Sequence, residues 1–384
     1  MNKHLIRYLL AATLSLGATG HAWAIKATPH AVTVTQPDGS KLVIRIHGDE
    51  RFHYITTGDG FLIQRDADGF FKYVQTEPSK GVRRLSKQRA SNIGKRSAAE
   101  VAFTNTLKPI RAKDAEWLKT SLQADTKPML SSRILPASVT NRKVEAQTGE
   151  SKESEYLVVL VKYSDGEFHF AARDFDRWLN EKGYAVNGGT GSVKDYYRDN
   201  SMGAFIPNFT VVGPYTLDHE RTYYAADVNG TGNDCNPYAA VTEAVEKAKA
   251  DHPEIDFSKF DNDHDGYMDN VNVIIGGYSQ ASTGDAKDMW PHSSRLDTDT
   301  LKVDGITVSN YSVSAELVGY EGVNMDGIGT FVHEFGHILG LKDMYDTDDY
   351  DNGLGIDLGD FSLYSSGSYN NSSRTPPCLM AFER

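Results

Sequence analysis

The sequence predicts a mixed α+β protein in which helices cover a sheet, preceded by a smaller β-rich unit. From residue 156 onward, short apolar runs alternate with segments of helical spacing. Before residue 77, Asp-Gly turn signals separate short strand-like runs. The 384 residues, 39% of them hydrophobic, suffice for one large domain and one smaller one.

The first 24 residues have the pattern of a secretory signal peptide. Lys3 and Arg7 precede the apolar stretch from Leu9 to Gly17, and Ala22-Trp23-Ala24 offers a cleavage site. A buried N-terminal helix is the alternative. No other apolar run is long enough to cross a membrane. We therefore expect export to the extracellular space, without a transmembrane anchor.

Residues 25–77 are expected to form the small β-rich unit. Val32–Val34 and Leu42–Ile46 are strand-like, and Asp-Gly pairs supply the turns. Residues 78–152 contain many lysines and arginines among small polar residues, which predicts a basic linker. Residues 153–384 are expected to form the larger domain.

Charge divides the chain in two. Residues 1–154 carry a net charge of +10, and residues 155–384 carry −22. An acidic second part argues against binding to nucleic acid or to an anionic membrane, and it suits the binding of cations. The basic first part could dock onto the acidic part electrostatically.

The larger domain begins at a continuous apolar run and continues as alternating strands and helices. In order, the predicted elements are a strand over Tyr156–Val161, a helix over Phe170–Leu179, a helix that Ser192 caps, a helix that Pro237 opens, a strand over Val271–Ile275, an edge strand over Ile306–Val313 and a helix after Asp326-Gly327.

The most informative pattern, His333-Glu334-Phe335-Gly336-His337, lies on the last of these helices. Residues four apart on a helix share a face, so the two imidazoles can bind one metal ion. Glu334 can reach a metal-bound water without being a ligand itself. The pattern indicates a zinc peptidase site in which Glu334 takes a proton from that water and passes it to the leaving amine.

Gly340 and Asp343 extend the pattern. A glycine at 340 can end the helix in the left-handed conformation and reverse the chain, which would bring Asp343 to the metal as a third ligand. Three protein ligands leave one position open for water, as in catalytic sites. Three further acids could bind instead: Asp346, Asp348 and Asp349.

A second constellation resembles the first part of an EF-hand calcium loop, with acids at positions 1, 3, 5 and 9 and glycine at 6. The predicted calcium ligands are Asp261, Asp263, Asp265, Tyr267 through its carbonyl, and Asp269. Position 12 is Asn272 and a strand follows, so we expect a structural site inside the domain. A solvated acidic turn is the alternative. The later acids from Asp346 to Asp357 could likewise hold calcium or form a solvated loop.

With these motifs in place, most of residues 156–384 resembles the secreted immune inhibitor A-type zinc metalloproteases of bacteria. The family's motif, His-Glu-x-x-His-x-x-Gly-x-x-Asp, is present from His333 to Asp343. Four other stretches match in the same order: Ser192–Ser201, Val211–Pro214, Trp290–His292 and Ser365–Asn370. The acidic loop before Val271 is similar to the family's calcium loop.

The resemblance implies a metzincin-like fold, with a twisted sheet, an active-site helix and a C-terminal subdomain. It implies zinc ligation by His333, His337 and Asp343, and a propeptide before about residue 150. Such enzymes place a methionine turn beneath the zinc, and Tyr364 stands at that position here. Tyr364 or Tyr369 could hydrogen-bond the oxyanion, although core packing is the alternative, and we expect a structural role for His292.

Residues 1–154 contain no cysteine, which excludes a thiolate as the inhibitory zinc ligand. A carboxylate, backbone, or a histidine such as His47 or His53 remains, as does simple blocking of the cleft. Cys235 and Cys378 could pair or stay free. Family members usually continue beyond the point where this chain ends, so we expect an incomplete C-terminal subdomain.

Together these features predict a secreted zinc endopeptidase, made as a zymogen and stabilised by calcium. Its partners would be protein or peptide substrates and its own prosegment as an intramolecular inhibitor. The competing hypothesis is a catalytically silent relative that acts as a secreted or surface binding protein.

Overall fold

The computed structural model describes residues 23–77, 82–111, 114, 117–118, 152–227, 234–296, 298–347, 357–381 and 383. Most of the predicted signal peptide and much of the predicted basic linker lie outside this described part, as do Asp348, Asp349 and Asp351.

The described strands are β1 (Trp23–Ala24), β2 (Val32–Thr35), β3 (Lys41–Gly48), β4 (His53–Thr57), β5 (Leu62–Arg65), β6 (Phe71–Glu77), β7 (Val82–Arg89), β8 (Lys152–Lys162), β9 (Phe205–Thr216), β10 (Tyr267–Met268), β11 (Val271–Tyr278), β12 (His292–Arg295), β13 (Lys302–Val303), β14 (Ile306–Val308) and β15 (Asn310–Leu317). The described α-helices are α1 (Ala98–Thr104), α2 (Ala172–Asn180), α3 (Val193–Asn200), α4 (Arg221–Ala225), α5 (Pro237–Asp251), α6 (Gln280–Thr283) and α7 (Ile328–Ile338).

The first sheet is an antiparallel meander in which β2 to β7 pair in chain order. With α1 it forms the N-terminal domain, which we define as the described residues 25–111. The strand β7 lies in the stretch for which the sequence predicts a linker, and it pairs with β6. Its arginines and lysines hide the strand pattern, but an edge strand tolerates such residues because its outer side faces water.

The central sheet has the order β1-β12-β15-β11-β8-β9. Its last four strands run parallel, whereas β12 and β1 run antiparallel to their neighbours. The prediction of an edge strand over Ile306–Val313 is wrong, because β15 lies between β12 and β11 and is buried throughout. Its polar residues are buried with partners, as where Ser312 Oγ donates to Asn272 Oδ1 at 2.7 Å.

Helices cover both faces of the central sheet, which confirms the mixed α+β class. On one face α5 packs against β8, β9 and β11 around an aliphatic core. On the other face α2, α3 and α7 enclose a largely aromatic core that includes Tyr156, Phe209 and Phe335. None of the described helices has the length and apolar character needed to span a membrane.

The two domains share one apolar cluster. Ile44 and Ile46 of the N-terminal domain belong to the same buried cluster as Trp290 and Tyr369 of the larger domain. Polar links also cross this interface, as between Arg65 and Asp285 (3.4 Å). Both apolar packing and polar contacts therefore join the N-terminal domain to the larger domain.

Candidate active site

The helix α7 carries the predicted metal motif and is buried at every residue. It ends as the sequence predicts, at Gly340 with φ +93°. The amide of Gly340 donates to His337 O (3.0 Å), and that of Leu341 donates to Gly336 O (3.2 Å). These two bonds define a Schellman turn, which reverses the chain toward the histidines.

The reversal brings Asp343 to the histidine pair. Its Oδ1 lies 3.2 Å from Nε2 of His333 and 3.6 Å from Nε2 of His337. One ligand atom from each residue falls within 4.8 Å of the others. Asp346, which the sequence left as an alternative, is not part of this group in the described structure.

Backbone carbonyls set the protonation of both imidazoles. Nδ1 of His333 donates to Leu363 O (2.9 Å), and Nδ1 of His337 donates to Leu341 O (2.8 Å). A carbonyl can only accept, so each neutral ring carries its proton on Nδ1 and keeps the lone pair of Nε2 for a metal. Burial lowers the pKa of His337 to about 4, so this ring is neutral at pH 7.

The donor set fits a zinc ion. Nε2 of His333 and Oδ1 of Asp343 are buried, and neither has a hydrogen-bond partner among the described residues. Such atoms are rare in folded proteins unless an ion or water satisfies them. Two neutral imidazoles and one carboxylate are ligands that zinc prefers, and three of them leave a fourth position open.

Glu334 lies beside this group and is completely buried. Its Oε1 accepts a hydrogen bond from the Ile25 amide at 2.8 Å. Burial, and then the Asp343 carboxylate, raise the pKa of Glu334 well above its usual range. A divalent cation at the donor set would act in the opposite direction.

The partner of Glu334 belongs to a stretch that we call the leading segment, Trp23–Thr28. Its first two residues form β1, in which Ala24 pairs with His292 of β12. Three side chains of the larger domain then donate to successive carbonyls: Tyr345 Oη to Ala24 O (2.7 Å), Trp290 Nε1 to Ile25 O (2.7 Å) and Tyr369 Oη to Lys26 O (2.6 Å). The leading segment therefore runs through the cleft beside the metal group.

Sequence reasoning missed the leading segment, because its short apolar residues look like the end of a signal peptide. It also missed Tyr345. The only sequence hint for this tyrosine is its position two residues after Asp343.

Tyr364 lies against both histidines, with ring centroids 5.0 Å from His333 and 5.2 Å from His337. It is fully buried. His292 is also buried, with Nδ1 donating to Trp290 O (2.7 Å) and Nε2 accepting from Tyr311 Oη (2.9 Å). Tyr364 thus packs directly against the metal group, whereas His292 is a buried structural residue of β12.

The predicted calcium loop is only partly assembled. Asp261, Asp263 and Asp265 converge, each with a carboxylate oxygen within 4.8 Å of the others. The Asp269 carboxylate instead accepts from the Asn262 amide (3.3 Å). Tyr267 follows at the surface, and its backbone amide donates to Asp265 Oδ1 (2.8 Å). Away from this loop, Cys235 and Cys378 are both free thiols.

A mixed α+β fold in which two histidines four apart and an aspartate converge beside a buried glutamate is typical of a metallopeptidase domain. The family model "Immune inhibitor A peptidase M6, catalytic domain" matches residues 143–381, and the chain belongs to this family.

Similarity to two curated relatives supports this family assignment. The chain is 28% identical over 268 residues to "Immune inhibitor A" of Bacillus thuringiensis subsp. alesti, which covers 59% of this chain and 38% of the relative. It is 24% identical over 319 residues to "Pre-pro-metalloprotease PrtV" of Vibrio cholerae serotype O1, which covers 73% of this chain and 34% of the relative. The matches thus span little more than a third of the length of these relatives.

Proposed function

We propose that this chain is a zinc endopeptidase of metzincin-like architecture, exported and made as a zymogen. The observation that carries the proposal is the convergence of His333, His337 and Asp343 beside the buried Glu334. Family membership supports the same activity, because the matching family is that of a peptidase catalytic domain.

His333, His337 and Asp343 would hold the zinc ion through the three atoms that converge. A zinc ion there would act as a Lewis acid and would lower the pKa of a water molecule at its open position. Glu334 would accept a proton from the attacking water and pass it to the leaving amine. Leu363 O and Leu341 O would keep both imidazoles in the required tautomer and orientation.

The zymogen proposal is supported by the leading segment. Its Ile25 nitrogen donates to the Glu334 carboxylate, and the carbonyls of Ile25 and Lys26 accept bonds from Trp290 and Tyr369. A substrate could not reach Glu334 until this segment moves. We propose that residues before about 153 form the prosegment, and that a cleavage in residues 119–151, which include several lysines and arginines, releases it.

We also propose that the loop at Asp261, Asp263 and Asp265 binds calcium in a structural role. Their carboxylates converge, and the Gly266 amide donates to Asp261 Oδ2 (3.0 Å), as in a tightly turned ligand loop.

The activity test compares three proteins: the full chain, Glu334→Gln and His333→Ala. Each is assayed for zinc content and for cleavage of denatured casein after limited trypsin treatment, with and without a zinc chelator. We expect chelator-sensitive cleavage by the wild type, zinc without cleavage in Glu334→Gln, and loss of zinc in His333→Ala. Substantial cleavage by Glu334→Gln would overturn the assigned mechanism. A wild type that binds zinc but never cleaves would favour the silent binding protein.

A further inference from the structure

The larger domain holds both ends of the peptide bond between Ala24 and Ile25. The Ile25 nitrogen donates to Glu334 Oε1 at 2.8 Å, and the Ala24 carbonyl oxygen accepts from Tyr345 Oη at 2.7 Å. In the proposed mechanism Glu334 passes a proton to the nitrogen of the cleaved bond, while a hydrogen-bond donor stabilises the charge that develops on its carbonyl oxygen. The Ala24–Ile25 bond therefore has the contacts expected of the bond that is cleaved in a substrate.

The leading segment is bound along its backbone. Ala24 pairs antiparallel with a residue of β12. Further along, Trp290 Nε1 donates to Ile25 O at 2.7 Å, and Tyr369 Oη donates to the carbonyl of the next residue, Lys26, at 2.6 Å. A sheet edge binds an extended peptide in this way, with main-chain hydrogen bonds for affinity and side-chain sites for specificity. Because a peptide of any sequence offers the same carbonyls, a substrate can use these donors once the leading segment has left.

Lys26 is the second residue after this bond, and it stays in the chain if the signal peptide is cleaved after Ala24. Its ammonium group forms an ion pair with the Asp357 carboxylate of the larger domain, and its Nζ lies 5.8 Å from the centroid of the Tyr345 ring. Only 32% of the Lys26 side chain and 35% of the Asp357 side chain are exposed, so the ion pair is largely shielded from water. A carboxylate and an aromatic face together form a binding site for a lysine or arginine side chain.

Asp357 is positioned without the leading segment. Its Oδ1 accepts hydrogen bonds from the Gly359 amide at 2.8 Å and from the Ser365 hydroxyl, whereas Lys26 contacts its Oδ2. Tyr345 follows the metal motif in the larger domain, so neither side of this site departs with the leading segment. Among the described residues, Asp357 belongs to no group of acids that could bind a metal ion instead. The site is therefore available to the side chain of another peptide.

We propose that Asp357, together with the ring of Tyr345, binds a lysine or arginine side chain of the substrate at the second residue after the cleaved bond. This inference rests on the proposed endopeptidase function and names its substrate class, which is basic peptides. The net charge of −22 over residues 155–384 acts in the same direction, because it attracts cationic chains. Asp357 would repel an acidic side chain at the same position, so the site both selects one class of residue and rejects another.

The test uses the full-length chain, activated by limited trypsin treatment, after which the trypsin is inhibited. A mixture of denatured proteins is digested, and mass spectrometry identifies the residues around each new cut. One well-cut sequence is then made as four peptides that differ only at the second residue after the cut, which is lysine, arginine, glutamine or glutamate. The ratios of kcat/KM among the four peptides are compared for the wild type, Asp357→Asn, Asp357→Lys and Asp360→Asn. Glu334→Gln, treated in the same way, gives the background.

Asp360→Asn is the matched control. Asp360 is an exposed aspartate of the same turn, and its carbonyl oxygen accepts from Asn370 Nδ2 at 3.0 Å. This variant changes the net charge by the same amount as Asp357→Asn, so both share any long-range effect of charge. A ratio of kcat/KM values for two peptides on one enzyme also cancels any loss of folded or zinc-loaded protein.

For the wild type and Asp360→Asn, we expect the lysine and arginine peptides to be cut about five- to tenfold better than the glutamine peptide, the effect of one partly exposed ion pair with a cation–π contact. In Asp357→Asn the ratio of lysine to glutamine should fall to near one. In Asp357→Lys the glutamate peptide should become a better substrate than the lysine peptide.

If the wild type shows no preference, or prefers basic residues at another position, the leading segment does not mark how a substrate lies and the inference fails, although the peptidase activity stands. If Asp357→Asn keeps the preference, or Asp360→Asn loses it, Asp357 is not its specific cause and the inference also fails. If the wild type shows no cleavage that a zinc chelator abolishes, the proposed function fails first.

Discussion

Gly336 shows how closely the metal-site helix is packed. A Cβ at this position would lie 1.7 Å from Tyr364 Oη and 3.0 Å from Tyr364 Cζ. Tyr364 in turn touches both imidazoles, so the glycine, the tyrosine and the histidines form one layer. The tyrosine at the expected methionine-turn position is accommodated because the helix has no side chain facing it.

Gly336→Ala should therefore destabilise the protein by about 1–3 kcal/mol, the usual effect of overpacking a core. The helix propensity of alanine, about 1 kcal/mol better than that of glycine, offsets only part of this. Tyr364→Phe removes the nearest atom, so it should recover part of the loss in the double variant. Chemical unfolding of the wild type, the two single variants and the double variant gives the four free energies of unfolding needed for a double-mutant cycle. A Gly336→Ala variant as stable as the wild type would show that the packing adjusts at no cost.

His292 should make stability depend on pH. Burial lowers its pKa from 6.5 to about 4. Between these pH values His292 binds a proton in the unfolded chain but not in the folded chain. Its contribution to the free energy of unfolding is therefore complete above pH 6.5 and is lost as the pH falls toward 4. The difference in free energy of unfolding between the wild type and His292→Gln should decrease by about 3 kcal/mol as the pH falls through this range. Unfolding of both proteins at several pH values measures the difference, and a constant difference would contradict the assignment.

Local signals in the sequence predict several elements well. Ser192 caps α3 as expected, with Oγ accepting from the Asp195 amide at 3.1 Å, and Pro237 opens α5. Gly340 ends α7 because glycine, which has no Cβ atom, adopts the required positive φ without strain. The strand β15 was placed wrongly at an edge, because alternating polar residues look solvated when their partners lie far away in the chain.

The acidic loop before β11 is an element whose stability should depend on calcium. Binding of calcium to the folded state alone raises the melting temperature, and it relieves the repulsion among Asp261, Asp263 and Asp265. Thermal unfolding with calcium, or with a calcium-selective chelator and excess zinc, should differ for the wild type. Asp263→Asn should reduce the difference. If the wild type melts at one temperature in both buffers, the loop is a solvated turn.

At the scale of the whole molecule, the contact between the two domains should determine how the proposed prosegment behaves after cleavage. Net charges of +10 over residues 1–154 and −22 over residues 155–384 predict attraction. The interface contains one buried apolar cluster and a few partly exposed ion pairs such as Arg65–Asp285 and Lys26–Asp357. Exposed pairs contribute about 0–1 kcal/mol each, so apolar packing should dominate the affinity.

After a cut within residues 119–151, the N-terminal domain should therefore remain bound. One molar salt should weaken the complex measurably but by no more than about thirtyfold, the equivalent of two such ion pairs. Size-exclusion chromatography and titration at several salt concentrations test this. Complete dissociation in moderate salt would show that charge holds the domains together. An affinity independent of salt would show that charge contributes nothing to the affinity.

The sequence predicts the metal motif because its residues are local, within eleven positions of one another. It could not predict the leading segment at the site, because that contact joins Ile25 to Glu334, 309 positions away. Only the packing of one domain on the other creates it. The motif thus predicts the metal donors, whereas the contact of the leading segment with Glu334 depends on tertiary structure.

The pairing of β1 with β12 also has a consequence for solubility. In the uncleaved chain β1 covers the backbone donors and acceptors along one side of β12. Trp23 and Ala24 end the predicted signal peptide, so cleavage after Ala24 would remove β1 and leave β12 as a bare edge that can join the edge of another molecule. Its length of four residues and its terminal Arg295 limit such pairing. The chain that retains β1 is therefore the form better suited to storage at high concentration, and aggregation should begin once β1 has been removed.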